Sequence, residues 1–221
     1  MDQLIANVVE DHLPPTRKGK ATREKLLAAA AVIFGKLGYD AARISDIVKK
    51  AGISHGLFYR HFADKDAILL AVLERLNDGL RHTSGKAAGS ADGDKRGITL
   101  ELLEKRNILF FREYRENRLL LRVAREAAAR NEDSGFREMW LKIRGRFTLR
   151  TQRLLDQLIQ SGDIAAIPDT EMVAEGLSAL TEQLAYVQIG LAAEDPDDAF
   201  VERLGKSCGL IWYRTIFGGA E

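Results

Sequence analysis

Apolar side chains recur at helical spacing along most of this chain. In residues 21–37 they occupy one face of a helix, at Leu26, Leu27, Ala30, Ile33, Phe34 and Leu37. Thr22 is a candidate N-cap of this helix, and Gly38 a candidate end. In residues 44–51 apolar side chains recur at i, i+3, i+4 and i+7 before Gly52, which predicts a second, shorter helix.

The sequence predicts a third short helix from about His55 to His61, after the turn Ala51-Gly52-Ile53-Ser54. Asp64 is placed to cap a longer helix, whose apolar positions are Ile68, Leu69, Val72, Leu76 and Leu80. Residues 82–97 contain four glycines and no large apolar side chain, so a mobile connection is expected there. Residues 1–20 combine Pro14-Pro15 with a basic run, and we expect a flexible N-terminal arm.

Five further helices are predicted in the second half, over residues 98–116, 118–130, 135–161, 169–192 and 196–217. The last two carry apolar seams that alternate spacings of 4 and 3, which is typical of helices packed nearly parallel or antiparallel. No stretch alternates with a period of two residues for long enough to predict a sheet. The sequence therefore predicts an all-α chain, with a three-helix domain over 21–66 and a second helical domain over 67–221.

Composition excludes several classes of protein. The 221 residues include a single cysteine, Cys208, which rules out an internal disulfide framework and a cysteine-rich zinc site. The four histidines lack metal-ligand spacing, so neither a metal nor another cofactor is expected. No apolar run is long enough to cross a membrane, and no secretory signal is apparent. We therefore expect a cytoplasmic protein of one or two domains.

Charge is unevenly distributed, although the formal net charge is only +1. Residues 13–62 hold ten Lys or Arg and three Asp or Glu, which gives this segment a charge of +7. The residues before it and those after it each carry −3. A basic segment in an otherwise balanced chain is typical of a surface that binds a polyanion, although a solvated helical surface has the same composition.

Residues 44–61 have the pattern of a helix-turn-helix, in which two helices cross sharply around a short turn. Gly52 permits the backbone angle of the turn, and Ser54 is placed to cap the second helix. Phe58 and Phe62 are expected to anchor that helix in the core. Gly56 costs about 1 kcal/mol of helix stability relative to alanine, which is understandable if a partner approaches the backbone there.

The segment from Ala21 to Leu73 closely resembles the DNA-binding domain of TetR-family transcriptional regulators. The motifs that carry the resemblance are Ala28-Ala29, Phe34, Gly38-Tyr39, Ile44-Ser45-Asp46-Ile47-Val48, Ala51-Gly52-Ile53-Ser54, Gly56-Leu57-Phe58-Tyr59-Arg60-His61-Phe62 and Asp64-Lys65-Asp66-Ala67-Ile68-Leu69. The resemblance implies a homodimer that places one recognition helix per subunit in successive major grooves of an operator. It also implies a dimer interface, which we assign to the seams within residues 170–217.

The resemblance also assigns candidate DNA contacts, namely Arg43, Ser54, His55, Gly56, Leu57, Tyr59, Arg60 and Lys65. Tyr59 and Lys65 match family positions that contact phosphate, although a core role for Tyr59 is the alternative. Three residues depart from the family pattern. His55 stands where lysine is frequent, Leu57 where threonine is common, and Arg43 near the usual hydroxyl residue, so the bases that are read are not implied.

The C-terminal half is similar to the actinobacterial subgroup that includes the repressor of the ethionamide-activating monooxygenase, in which aromatic positions line a long apolar tunnel. The similarity rests on Phe110-Phe111 through Tyr114, Trp140 through Phe147, Thr181-Glu182, Ile211-Trp212 and Ile216-Phe217-Gly218. We name as candidate ligand contacts Asn107, Phe110, Tyr114, Trp140, Arg144, Phe147, Thr181, Tyr186 and Trp212. The alternatives are that these aromatics only fill a helical core and that Arg144 faces solvent rather than an anionic ligand.

The leading hypothesis is therefore a DNA-binding regulator, a repressor that a small apolar or amphipathic effector releases from a palindromic operator. A DNA-binding regulator that takes no small ligand is the alternative. An enzyme is not expected and no catalytic residue is assigned, because the sequence lacks a nucleophile elbow, a phosphate loop and a dinucleotide turn.

Overall fold

The computed structural model describes residues 16–88, 98–130 and 135–218, and within these ranges no residue is in a β-strand. The all-α prediction is confirmed. In chain order the helices are α1 (Arg17–Ala41), α2 (Ile44–Ala51), α3 (His55–Tyr59), α4 (Lys65–Ala88), α5 (Leu100–Glu116), α6 (Arg118–Arg130), α7 (Phe136–Ser161), α8 (Thr170–Ala185) and α9 (Asp198–Phe217). A short π-helical segment, Tyr186–Gly190, follows α8. None of the described helices is long and apolar enough to span a bilayer.

The described residues fall into two compact units. The first consists of residues up to Asp78 together with Val123–Met139. Its core contains the fully buried side chains of Leu26, Phe34, Ile47, Phe58, Ile68 and Leu69. Burial of each such side chain contributes about 1.5–3 kcal/mol, so the apolar faces of these short helices account for their packing.

Helix α1 is longer than the predicted helix over 21–37. It begins at Arg17 because the Thr16 hydroxyl accepts a 3.2 Å hydrogen bond from the Gly19 N–H. Thr22, the predicted N-cap, lies inside the helix and donates to the Lys18 carbonyl. Residues 17–20 are therefore helical rather than part of a flexible arm, and residues 1–15 lie outside the described residues.

Gly38 interrupts α1 where the sequence predicted its end. Its φ of 74° lies in the left-handed region that favours glycine, and the chain resumes helical geometry as far as Ala41. The prediction for the start of α4 also holds, since the Asp64 carboxylate caps this helix by accepting a hydrogen bond from the Ala67 N–H at 2.8 Å. Both features could be predicted from the sequence because each depends only on residues close to it along the chain.

The predicted connection over 82–97 is partly wrong, because α4 continues to Ala88. Lys86, Ala87 and Ala88 have high intrinsic helix propensity, and a segment needs no large apolar side chain to extend a helix already formed. Residues 89–97 lie outside the described residues. The predicted boundary at 66/67 stays a prediction.

The second unit consists of Gly79–Arg122 and Trp140–Glu221, and its closest helix pair is α5 with α9. Gly205 and Gly209 of α9 allow this approach. A Cβ at Gly205 would lie 2.7 Å from the Ile108 Cα, and one at Gly209 would lie 2.7 Å from the Glu104 Cα. The two backbones are therefore closer than any residue with a side chain permits at these positions.

Candidate nucleic-acid interface and ligand cavity

The turn between α2 and α3 has helix-turn-helix geometry. Gly52 ends α2 with φ 67° and ψ 39°, and the Ile53 N–H donates to the Val48 carbonyl at 3.0 Å. The Ser54 hydroxyl then accepts from the Leu57 N–H at 3.3 Å and starts α3. Ser54 is exposed, but its side chain already acts as the helix cap.

Helix α3 has one buried face and one exposed face. Phe58 and the following Phe62 are buried, and their ring centroids lie 5.9 Å apart. On the opposite side, the candidate contacts His55, Gly56, Tyr59 and Arg60 are exposed and Leu57 is partly exposed. Tyr59 has 53% of its surface exposed, which is the reverse of the core role considered for it.

Gly56 leaves open space on this face. A Cβ there would meet no protein atom within 4 Å, so the packing of α3 does not require glycine. The missing side chain instead leaves the backbone of α3 accessible to a flat partner surface. Arg43, the N-cap of α2, is also exposed, while its backbone N–H donates to the Asp46 carboxylate at 3.2 Å.

Lys65 differs most from its expected role as a free phosphate ligand. Its ammonium donates to the Tyr39 carbonyl at 2.9 Å and the Ala42 carbonyl at 3.2 Å, and it lies 4.1 Å from the Tyr39 ring centroid. Two of its three N–H groups are therefore occupied by the end of α1. A phosphate contact would have to use the third, so Lys65 first fixes the start of α4 against α1.

Tyr39 completes this junction. Its hydroxyl donates to the Asp66 carboxylate, and burial together with that carboxylate raises the pKa of Tyr39. The phenol thus stays neutral at any physiological pH. The side chains of Tyr39 and Lys65 together join the end of α1 to the beginning of α4.

The second unit contains a cavity of about 330 Å³ between α5, α7 and α9. Four of the nine predicted ligand contacts line it, namely Asn107, Phe110, Phe147 and Trp212. Phe110 and Phe147 stack with centroids 5.6 Å apart, and Phe147 meets Trp212 edge-on at 6.2 Å. Asn107 is buried and its amide donates to the Leu103 carbonyl at 2.9 Å.

A smaller cavity of about 90 Å³ adjoins the same phenylalanines. It brings together Phe110, Phe147, Tyr114, Trp140 and Arg144, again from the predicted set. Thr181 and Tyr186 line neither cavity. Thr181 is buried and contributes indirectly, because its hydroxyl accepts a 2.9 Å hydrogen bond from the Trp212 indole.

Arg144 does not face the cavity as a free cation. Its guanidinium bonds the Glu182 carboxylate at 2.5 Å and the Glu175 carboxylate at 2.6 Å. Burial works against the charge, but the two carboxylates outweigh it and raise the pKa of Arg144. Contact of Arg144 with an anionic ligand stays a prediction, and it would require the ligand to compete with two protein carboxylates that already neutralise Arg144.

Sequence reasoning missed most polar residues of the larger cavity. They are Arg106, Glu113, Arg150, Thr151, Arg153 and Gln157. A signal was present, because Arg106 precedes Phe110 by four residues and Arg150 follows Phe147 by three, spacings that share a helix face. The aromatic residues were predicted as ligand contacts from this helical spacing, whereas the arginines on the same helix faces were not.

These features define a helix-turn-helix protein with a helical domain that encloses a cavity. Residues 26–72 match the sequence model of "Bacterial regulatory proteins, tetR family". Over these residues the chain is similar to the DNA-binding domain of TetR-family regulators.

Individual proteins show the same similarity. The HTH-type transcriptional regulator YvdT of Bacillus subtilis is 42% identical over 83 residues, 38% of this chain and 40% of that protein. The regulator EthR of Mycolicibacterium smegmatis is 22% identical over 193 residues, 87% of this chain and 85% of the relative. The structure of GusR from Salmonella enterica shares the fold, with a TM-score of 0.68 at 20% identity over 91% of this chain and 98% of GusR. The chain thus spans less than half the length of YvdT but most of EthR.

Proposed function

We propose that the protein is a transcriptional regulator that binds a palindromic operator as a homodimer, acts as a repressor in the cytoplasm, and releases DNA when a small molecule fills the cavity of its second unit. The exposed face of α3 carries this proposal. Exposed His55, Tyr59 and Arg60, with the bare backbone at Gly56, lie opposite the buried Phe58. That arrangement suits insertion of a helix into a major groove.

Charge supports the same surface. Lys49 and Lys50 are exposed at the end of α2, next in sequence to the turn, and Arg43 is exposed at its start. Phosphate contacts of this kind supply affinity that does not depend on sequence, whereas the residues of α3 supply discrimination.

Exposed apolar side chains support a dimer through residues 170–217. They are Met172, Val187, Leu191, Leu210 and Ile211. Of the predicted seams, Leu177, Val201 and Cys208 are buried within the subunit, whereas Val187, Leu191 and Ile211 are left exposed. A second copy would remove these side chains from water and set the two recognition helices at the spacing of successive major grooves, roughly 34–36 Å.

Selection of bound duplexes from a random-sequence DNA library, with the purified full-length protein, tests the operator. We expect enrichment of an inverted repeat. Tyr59→Phe should weaken binding to that site about 2- to 10-fold at moderate salt, the worth of one hydrogen bond. The control is Ser161→Ala, which removes an exposed hydroxyl at the end of α7, outside both α3 and the proposed dimer interface, and should bind normally. Enrichment of no sequence, or equal affinities for both variants, would contradict the proposed recognition surface.

Sedimentation equilibrium tests the dimer. Ile211→Asp places a charge in the proposed interface and should yield monomers that bind the operator weakly. Leu149→Asp is the matched control, because Leu149 is a similarly exposed apolar residue of α7 outside residues 170–217. Dimers that persist in Ile211→Asp, or dissociate in both variants, would place the interface elsewhere.

The second candidate function, a DNA-binding regulator with no small ligand, does not account for the cavity of about 330 Å³. Filling the cavity with Leu103→Trp distinguishes the two, since Leu103 is buried and lines it. Under the proposed function the variant still binds the operator but no longer responds to a ligand that releases the wild-type protein.

A further inference from the structure

Three arginines line one part of the larger cavity without an acidic partner. Arg106 comes from α5, and Arg150 and Arg153 come from α7. Among the described residues no carboxylate forms an ion pair with any of the three. This contrasts with Arg115 and Arg118 of the same unit, which pair with Asp198 at 2.8 Å and Asp195 at 3.4 Å.

Two of these arginines, Arg106 and Arg150, repel each other electrostatically. Arg106 is partly buried, and this burial, followed by the nearby charge of Arg150, lowers the pKa of Arg106. A guanidinium nonetheless remains charged at neutral pH. Arg150 and Arg153 are exposed to solvent, so the partly buried charge is that of Arg106. This charge, with that of Arg150 nearby, lies beside the apolar part of the lining, an arrangement that a bound anion would stabilise.

The aromatic part of the lining lies one helical turn from two of these arginines. Phe110 follows Arg106 by four residues, Phe147 precedes Arg150 by three, and Trp212 meets Phe147. Glu113 lines the cavity three residues beyond Phe110, on the other side of that ring from Arg106. Along α5 the cavity is therefore lined first by a cation, then by an aromatic ring and then by a carboxylate. This order favours one orientation of a polar ligand.

We propose that the effector is an amphiphilic anion, with an aromatic or alkyl body beside Phe110, Phe147 and Trp212 and a single carboxylate or sulfonate group that accepts hydrogen bonds from Arg106 and Arg150. This inference rests on the proposed function, because it names the class of ligand that the same cavity takes. It assigns the anion to Arg106 and Arg150, which pair with no carboxylate of the described residues, rather than to Arg144, which Glu175 and Glu182 neutralise.

Two fluorescent probes that share their ring system but differ in charge test this directly. 8-Anilinonaphthalene-1-sulfonate carries one negative charge, whereas N-phenyl-1-naphthylamine carries none. Titrated into the full-length protein, the anionic probe should bind at least about tenfold more tightly, the worth of one or two charge-assisted hydrogen bonds. In the double variant R106Q/R150Q this preference should disappear, while the neutral probe keeps its affinity within about twofold.

Two further variants locate the binding. Arg112→Gln removes one charge from the exposed side of α5, outside the cavity lining, and should retain the preference of the wild-type protein. Leu103→Trp fills the cavity and should weaken both probes. Circular dichroism and the unfolding midpoint of each variant establish that it is folded.

The outcomes separate the inference from the proposed function. Equal affinities in the wild-type protein, or a preference that survives R106Q/R150Q, overturn the anion assignment while leaving a ligand cavity in place. If Leu103→Trp changes the affinity of neither probe, or if neither probe binds the wild-type protein, both the anion assignment and the effector role of the cavity fail. DNA binding, measured with Tyr59→Phe, remains an independent test of the regulator itself.

Discussion

The indole N–H of Trp212 donates a 2.9 Å hydrogen bond to the hydroxyl of Thr181, and both side chains are buried. The Thr181 hydroxyl in turn donates to the Leu177 carbonyl at 2.8 Å. These bonds fix the ring of Trp212 at the wall of the larger cavity. Thr181, predicted to contact a ligand, therefore acts on the cavity through a residue that lines it.

Replacement of Thr181 by valine tests this relationship. The variant keeps the shape of the side chain but leaves the buried indole N–H without an acceptor, so the free energy of unfolding should fall by about 1–3 kcal/mol. Urea denaturation measures the change. Thr215→Val is the control, since the exposed Thr215 hydroxyl donates only to the Ile211 carbonyl of its own helix. Equal losses in the two variants would count against a specific role for the Thr181 hydroxyl.

The contact between α5 and α9 predicts a large penalty for a single methyl group. In Gly205→Ala the new Cβ would clash with the Ile108 backbone, and we expect a loss of about 1–3 kcal/mol in the free energy of unfolding. Gly145→Ala in α7 is the matched control. Its Cβ would meet no atom within 4 Å, so the replacement should stabilise the protein by about 0.5–1 kcal/mol. A neutral Gly205→Ala would show that the two helices are not in close contact.

His61 makes stability depend on pH. Burial, followed by the charges of Arg23 and Arg60, lowers the pKa of this imidazole. The unfolded chain therefore binds more protons than the folded one below the ordinary histidine pKa of about 6.5. Stability should be greatest above that pH and should be lost as the pH falls toward the lower pKa of the folded state.

Thermal unfolding between about pH 7.5 and pH 5 measures this loss as a fall in the unfolding midpoint with falling pH. His61→Gln should reduce this pH dependence by the part that His61 contributes. His55→Gln removes an exposed imidazole from α3 and should keep the slope of the wild-type protein. A slope that His61→Gln leaves unchanged would assign the pH dependence to other groups.

Lys65→Met separates the two roles of this lysine. Loss of its hydrogen bonds to the Tyr39 and Ala42 carbonyls should lower the free energy of unfolding by about 1–2 kcal/mol. If the remaining N–H contacts phosphate, the slope of the logarithm of DNA affinity against the logarithm of salt concentration should also decrease in magnitude by about one. The exposed Lys36→Met of α1 removes the same charge and should change neither quantity. Reduced stability with an unchanged salt slope would make Lys65 a purely structural residue.

The sequence by itself determined those features that have local causes. A helix was predicted at the place of each of α1 to α9, although the range 169–192 also took in the π-helical segment Tyr186–Gly190. Gly52 and Asp64 marked two of the boundaries, because caps and left-handed turns depend on neighbours within a few residues. The resemblance to TetR-family regulators followed from the same segment. Two helix ends were placed wrongly, at Arg17, where Thr16 rather than Thr22 is the cap, and at Ala88.

Only the tertiary structure decided what each polar side chain faces. Arg144 meets Glu175 and Glu182, which lie 31 and 38 residues along the chain, and Lys65 meets carbonyls more than twenty residues before it. The same spacing rules placed Arg106 and Arg150 beside the aromatic residues but gave no reason to separate them from the paired arginines. A charge is compensated or free according to what packing brings within hydrogen-bond distance, and periodicity along one helix carries no information about its neighbours.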